Sequence, residues 1–231
     1  MFPLKDDNPS RTTPVFTIAL IIVNALVFLY QFSLEVGGRE GARAAESFIR
    51  EFGLVPCRLT GACHGSPDLP SPVLTIFTSM FMHGGWFHIG GNMLYLGIFG
   101  NNVEDTLGHV RYLLFYLASG VAAALAQVAI GPTSDVPMVG ASGAVSGVLG
   151  AYLVLFPHAH VTTLIILGFF FRVVRIPALV VLGFWIVLQV LNGLGSFGAR
   201  GGVAFFAHIG GFLAGIGLLF VLRPRVGARA P

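Results

Sequence analysis

The segment from Val15 to Leu34 reads VFTIALIIVNALVFLYQFSL, without one charged residue. A run of roughly 20 apolar residues matches the thickness of a bilayer's hydrocarbon core. It constrains the fold more than anything else in the chain. In lipid every backbone N–H and C=O must be paired inside the protein, so spanning chains are helices or closed barrels. A signal peptide has a shorter core, about 7–15 residues, closed by a small-residue cleavage site. This run ends YQFSLEV instead and reads as a retained first helix.

Five further apolar runs follow, and only 10% of the residues are charged, against about 25% in a soluble domain. The expected spans are about Pro14–Leu34, His88–Asn101, Tyr112–Ile130, Ser142–Phe156, Pro177–Leu194 and Val203–Leu222. The fold class that follows is an all-α membrane protein, a bundle of six transmembrane helices. Residues 1–13 and 223–231 read as short tails, 14–222 as the membrane domain, and about 35–82 as a long first exterior loop. Thr162–Phe171 is apolar but too short to span, and is expected to be interfacial or re-entrant.

Lys5, Arg11, Arg111, Arg172, Arg175, Arg223, Arg225 and Arg229 fall on one side of this topology, and Arg39, Arg43, Arg50, Arg58 and Arg200 on the other. Cytoplasmic loops carry the excess of Lys and Arg, so both termini are expected in the cytoplasm. The net charge of +3 comes without the clustered basic face that nucleic acid requires. Cys57 and Cys63 lie in the exterior loop, where an oxidising compartment lets a disulfide persist. Two free thiols are the alternative, and a zinc site with His64 is a weaker one, since no fourth ligand is evident.

Polar groups inside spanning segments are costly and each needs a reason. Those singled out are His83, His88, Asn92, Ser142, Ser146 and His208. Ser142 opens a run of about 15 residues, roughly 22 Å as a helix, too short for the roughly 30 Å core. The serine is then expected below the exterior surface yet reached by water. Its N–H belongs to the unpaired first turn of a helix, at the positive end of the dipole. A capping serine fits that position too. His208 sits at a similar depth in the last span. Gly143 and Gly147, like Gly211 and Gly215, are four apart, a spacing that lets helices approach closely. If those faces meet, Ser142 gains an imidazole within reach, which is what a serine needs to become a nucleophile. No acid lies in the sixth span; Asp135, Glu104 and Asp105 are elsewhere, so a dyad is expected. His88 and Asn92 share a helix face and can donate to an oxyanion or simply hold helices together. A metal reading of His83 and His88 lacks acidic ligands and the HExxH signature.

Three stretches, GASGAVSG, AHIGGFLAG and HGGWFHIGGNMLYLGIFGNNVED, stand in the order and spacing of the rhomboid intramembrane serine proteases. The chain resembles that family, in its bacterial-type six-helix form, from about Pro14 to Leu222. The resemblance implies a serine endopeptidase, a hydrolase without cofactor, whose partners are the lipid bilayer and transmembrane protein substrates cut near their exterior end. It implies Ser142 as nucleophile and His208 as base. The N–H of Ser142 with His88 and Asn92 would form the oxyanion hole, with His83 in the supporting network and Glu104 in a structural role. A bacterial inner membrane is the expected location. A rhomboid-fold protein that binds transmembrane clients without cutting them is the alternative. Two positions depart from the pattern: Ser146 stands where many members carry a Tyr stacked on the catalytic His, and the first exterior loop has no Trp-Arg pair.

Overall fold

The structure, a computed structural model, describes residues 2–63, 69–196 and 203–223. His64, Arg200, Arg225 and Arg229 lie outside them, as does most of the expected C-terminal tail. In chain order the described elements are β1 (Phe2–Asp6), α1 (Val15–Glu35), α2 (Gly38–Phe52), α3 (Pro56–Thr60), α4 (Pro72–Thr78), α5 (Trp86–Leu107), α6 (His109–Ile130), α7 (Ser142–Leu155), β2 (His160–Leu167), β3 (Phe170–Pro177), α8 (Ala178–Gly195) and α9 (Phe205–Leu222).

The bundle is made by α1, α5, α6, α7, α8 and α9. Among the described residues, α1, α6, α8 and α9 are long and apolar enough to cross a membrane. Helix α5 is as long as α6, at 22 residues, but carries polar groups at both ends. Helix α7 has 14 residues, about 21 Å at 1.5 Å per residue. It is the most enclosed of the six: every residue from Gly143 to Tyr152 is buried. It packs against α5, α6 and α9, in a core that includes Leu96, Phe99, Phe115, Tyr116, Val148 and Leu149.

Glycine sets the approach of α7 to α9. A methyl group at Gly211 would land on the carbonyl oxygen of Gly143, and one at Gly215 on that of Gly147. A methyl at Gly150 would meet the carbonyl of Phe212. The two small-residue faces therefore meet backbone to backbone, as helices do in lipid where no water drives them together.

Helix α5 runs past the expected end at Asn101 to Leu107. The polar residues that end the apolar run are used rather than exposed. Glu104 is fully buried and accepts from the N–H of Phe16 (2.9 Å), the N–H of Thr17 (2.8 Å) and the Thr17 hydroxyl (2.7 Å). Asp105 accepts from the N–H groups of Arg11 (3.2 Å) and Thr12 (3.0 Å). A helix start carries unpaired N–H groups and a positive dipole end; α1 takes the Glu104 carboxylate there, and Asp105 holds the segment that leads into it.

Thr162–Phe171, expected to be interfacial or re-entrant, is built from strands. It lies in a β-hairpin, β2 paired antiparallel with β3 from His160↔Pro177 to Leu167↔Phe170. Gly168, at φ +59, makes the turn. Val161, Thr162, Thr163, Ile165 and Ile166 are β-branched and fit a strand better than a helix. The N-terminal segment, expected to be a simple tail, supplies the third strand: β1 pairs with β2 from Phe2↔Leu164 to Asp6↔Val161. The Tyr152 hydroxyl donates to Asp6 (2.6 Å), tying this sheet to α7. Asp7 accepts from the N–H of His160 (2.8 Å) and from Arg175 (2.7 Å). The first long loop is folded into α2, α3 and α4, joined to the segment before α7 by the Leu54↔Met138 bridge. Cys57 and Cys63 are disulfide-bonded within it.

Candidate active site

Ser142 is the first residue of α7, and the capping position before it belongs to Ala141, with no side-chain cap bond. The serine is thus not the cap that its position allowed. Its hydroxyl lies 2.9 Å from Nε2 of His208. His208 stands in the first turn of α9, and the glycine contacts one and two turns farther along hold the two helices close enough for that bond. Ser146, the residue in place of the frequent Tyr, donates to the carbonyl of Ser142 (2.6 Å) and so is committed to its own helix.

What holds His208 comes from α8. The ring of Trp185 lies 5.9 Å from that of His208, centroid to centroid, tilted by 36°. One turn on, Gln189 Oε1 lies 2.8 Å from His208 Nδ1. The Gln189 amide nitrogen donates to the carbonyl of Trp185 (3.4 Å), which turns Oε1 toward the imidazole. An amide oxygen only accepts, so Nδ1 carries the hydrogen. Nε2 then keeps its lone pair and accepts from the Ser142 hydroxyl. Neither of these partners of His208 is a carboxylate. Gln189 and Trp185 are not among the polar and aromatic residues that stand out by motif or spacing in the sequence. The available signal was an amide inside an apolar span, FWIVLQVLNG, which the cost of polar groups in lipid should have flagged.

His88 and Asn92 stand on the opposite side of Ser142. His88 Nδ1 accepts from the N–H of Gly84 (3.2 Å), which leaves Nε2 as the ring's donor. That edge faces Gly140: a methyl group there would sit 2.8 Å from His88 Nε2 and Cε1 and 3.5 Å from the Ser142 hydroxyl. Gly140 also has φ +131, so both space and backbone call for glycine. Asn92 donates to the carbonyl of His88 (3.0 Å) and lines the same space. His83 is buried, its ring edge-on to His88 at 5.1 Å. Gln31 of α1 fixes its backbone: the His83 N–H donates to Gln31 Oε1 (3.0 Å), and its carbonyl accepts from Gln31 Nε2 (3.3 Å).

Ser142, His208, His88, Asn92 and Trp185 open onto a cavity of about 810 Å³, lined also by Tyr95, Gln127, Pro137, Met138 and Phe206. Its walls are mostly apolar, with polar groups gathered around Ser142. Among the described residues no cluster of three or more His, Cys, Asp or Glu is set to hold a metal ion. The arrangement suits attack on a carbonyl: a hydroxyl bonded to a neutral imidazole, and donors on the other side for the charge that develops.

Comparison with known proteins gives one consistent match. The family model described as Rhomboid domain matches residues 70–225. RHOMBOID-like protein 1 of Arabidopsis thaliana is 27% identical over 93% of this chain and 55% of its own length. Rhomboid protein 1, mitochondrial, of Saccharomyces cerevisiae is 32% identical over 64% of this chain and 42% of its own. Rhomboid protease GluP of Bacillus subtilis is 33% identical over 61% of this chain and 24% of its own. The chain thus spans about half, or less, of the length of these relatives.

Proposed function

The chain belongs to the rhomboid family, and from that membership we propose that it is an intramembrane serine endopeptidase working through a Ser142–His208 dyad. It is an integral, multi-pass membrane protein. The observation that carries the proposal is the 2.9 Å contact between the Ser142 hydroxyl and His208 Nε2 on the wall of a cavity large enough for an extended peptide segment.

The chemistry follows from the geometry. Ser142 Oγ attacks the carbonyl carbon of a peptide bond while His208 Nε2 takes its proton. The carbonyl oxygen becomes an oxyanion, met by the Ser142 N–H, His88 Nε2–H and the Asn92 amide. Each such donor contributes about 10²–10³ in rate. The imidazolium returns its proton to the departing amine, leaving an acyl-serine. Water then adds to the ester carbonyl, its proton taken by His208, and Ser142 is released with its hydrogen restored. The mostly apolar cavity fits a substrate that arrives as a transmembrane segment. Both termini are proposed to lie in the cytoplasm, a reading that the Lys and Arg distribution supports; the cut then falls toward the exterior end of that segment, and a bacterial cell membrane is the proposed setting.

The test is cleavage of a transmembrane reporter by the purified protein in liposomes, with Ser142→Ala and His208→Ala beside it. Cutting by the wild type alone supports the dyad. Equal cutting by all three sinks it. If none cuts and a fluorophosphonate fails to label Ser142, a client-binding protein without catalysis becomes the reading.

A further inference from the structure

We propose that Gln189 is the positioning residue for the base: its side-chain oxygen fixes the tautomer and rotation of His208. The inference deepens the dyad reading and rests on it. Imidazole as a general base must present a lone pair to the hydroxyl, and in serine hydrolases a partner on the other nitrogen holds it that way. Here that nitrogen meets Gln189 Oε1 at 2.8 Å, and the partners described for His208 include no acid. The amide is itself oriented, because its nitrogen is committed to the carbonyl of Trp185. Trp185 closes one side of the imidazole, which leaves the ring little freedom to turn away.

Placement on α8 gives the interaction a further property. Helix α8 packs chiefly on α9, and Trp185 is part of the cavity wall. The acceptor for His208 therefore belongs to the same helix that bounds the space where a substrate would lie. A neutral amide suits that position. It accepts the Nδ1 hydrogen as a carboxylate would, without placing a charge inside the membrane thickness, where charge is costly.

The experiment uses the full chain in liposomes and in bicelles. Gln189→Met keeps the length of the side chain and removes the acceptor; Gln189→Glu keeps the acceptor. The expected result for Gln189→Met is a kcat lower by about 10- to 100-fold, a fraction of what a positioned base contributes, with KM unchanged. Gln189→Glu is expected to recover most of kcat. In ¹⁵N-histidine spectra, with His208→Ala used to identify the signals, wild-type His208 is expected to show one tautomer, hydrogen on Nδ1. Gln189→Met is expected to lose that preference.

Wild-type kcat and an unchanged His208 tautomer in Gln189→Met would overturn the inference. So would equal losses in Gln189→Met and Gln189→Glu that track a fall in melting temperature, since that is a packing role. Because the spectra need no turnover, they decide the matter even if the wild type fails to cut, a result that would count against the dyad reading instead.

Discussion

Gly140 lies directly against the imidazole of His88, on the side that faces Ser142. The first glycine of the GASG stretch is there for the histidine as much as for the serine. A side chain at Gly140 would displace the His88 donor and would have to adopt φ +131. Gly140→Ala is therefore expected to lower kcat about 100-fold, the scale of losing one oxyanion donor. It should destabilise the fold by about 1–3 kcal/mol from backbone strain. Reporter cleavage and thermal unfolding measure the two effects. Wild-type turnover in this variant would remove His88 from the oxyanion site.

Gly211→Ala probes the contact between α7 and α9. The added methyl meets the Gly143 carbonyl, and neither backbone can yield without moving its helix. Overpacking of this kind costs about 1–3 kcal/mol. A shift of about 1 Å between Ser142 and His208 would cost about 100-fold in rate. Reduced fluorophosphonate labelling of Ser142 together with a lower melting temperature is the expected outcome. Unchanged labelling would mean that the dyad tolerates a wider helix spacing.

Glu104→Ala addresses the join between α5 and α1, away from the dyad. Two N–H groups, the Thr17 hydroxyl and the His109 ring lose a buried carboxylate partner, and hydrogen bonds to charged groups are worth about 1.5–3 kcal/mol each, non-additively. A loss of about 3 kcal/mol is expected on that scale, read as a lower unfolding midpoint. Turnover at low temperature should stay close to wild type. A large loss of turnover in protein that remains folded would give Glu104 more than its structural part.

The three-stranded sheet should be sensitive to acid. The N–H of His160, together with Arg175, holds the Asp7 carboxyl below its ordinary value of 3.8. A lowered folded-state value stabilises the sheet above about pH 4 and is lost as pH falls through it. Asp6 is raised above 3.8 by burial, so its contribution has the opposite sign and fades as pH rises through its folded value. The prediction is that protease access to residues 2–6 increases below pH 4 in the wild type. Asp7→Asn should show raised access already at neutral pH and a flatter acid response. An identical acid response in Asp7→Asn would assign the effect to another group.

The helical bundle was legible because apolar run length answers directly to bilayer thickness. Val15–Glu35, His109–Ile130 and Ala178–Gly195 lie within a few residues of their expected limits. The end of α5 was not, because Glu104 and Asp105 look like the border of an apolar run until the start of α1 and the residues just before it are known to need their oxygens. The sheet was hidden for a different reason. FPLKD has no strand pattern of its own and is recruited by a hairpin far along the chain. At the site, Ser142, His208, His88 and Asn92 stood out by type and spacing. Gln189 did not, because its role is defined by a partner on another helix.

Pairing of Phe2 with Leu164 has a consequence for how the molecule is made. The first strand leaves the ribosome early, but its partner appears only after four of the six bundle helices have been synthesised. At about 5–20 residues per second the delay is on the order of ten seconds. During that time β1 has an open edge and nothing in its own chain to pair with. Residues 2–6 thus make their sheet contacts only after most of the bundle has been synthesised. A tag that occupies them would let every helix insert and still leave the hairpin unlatched.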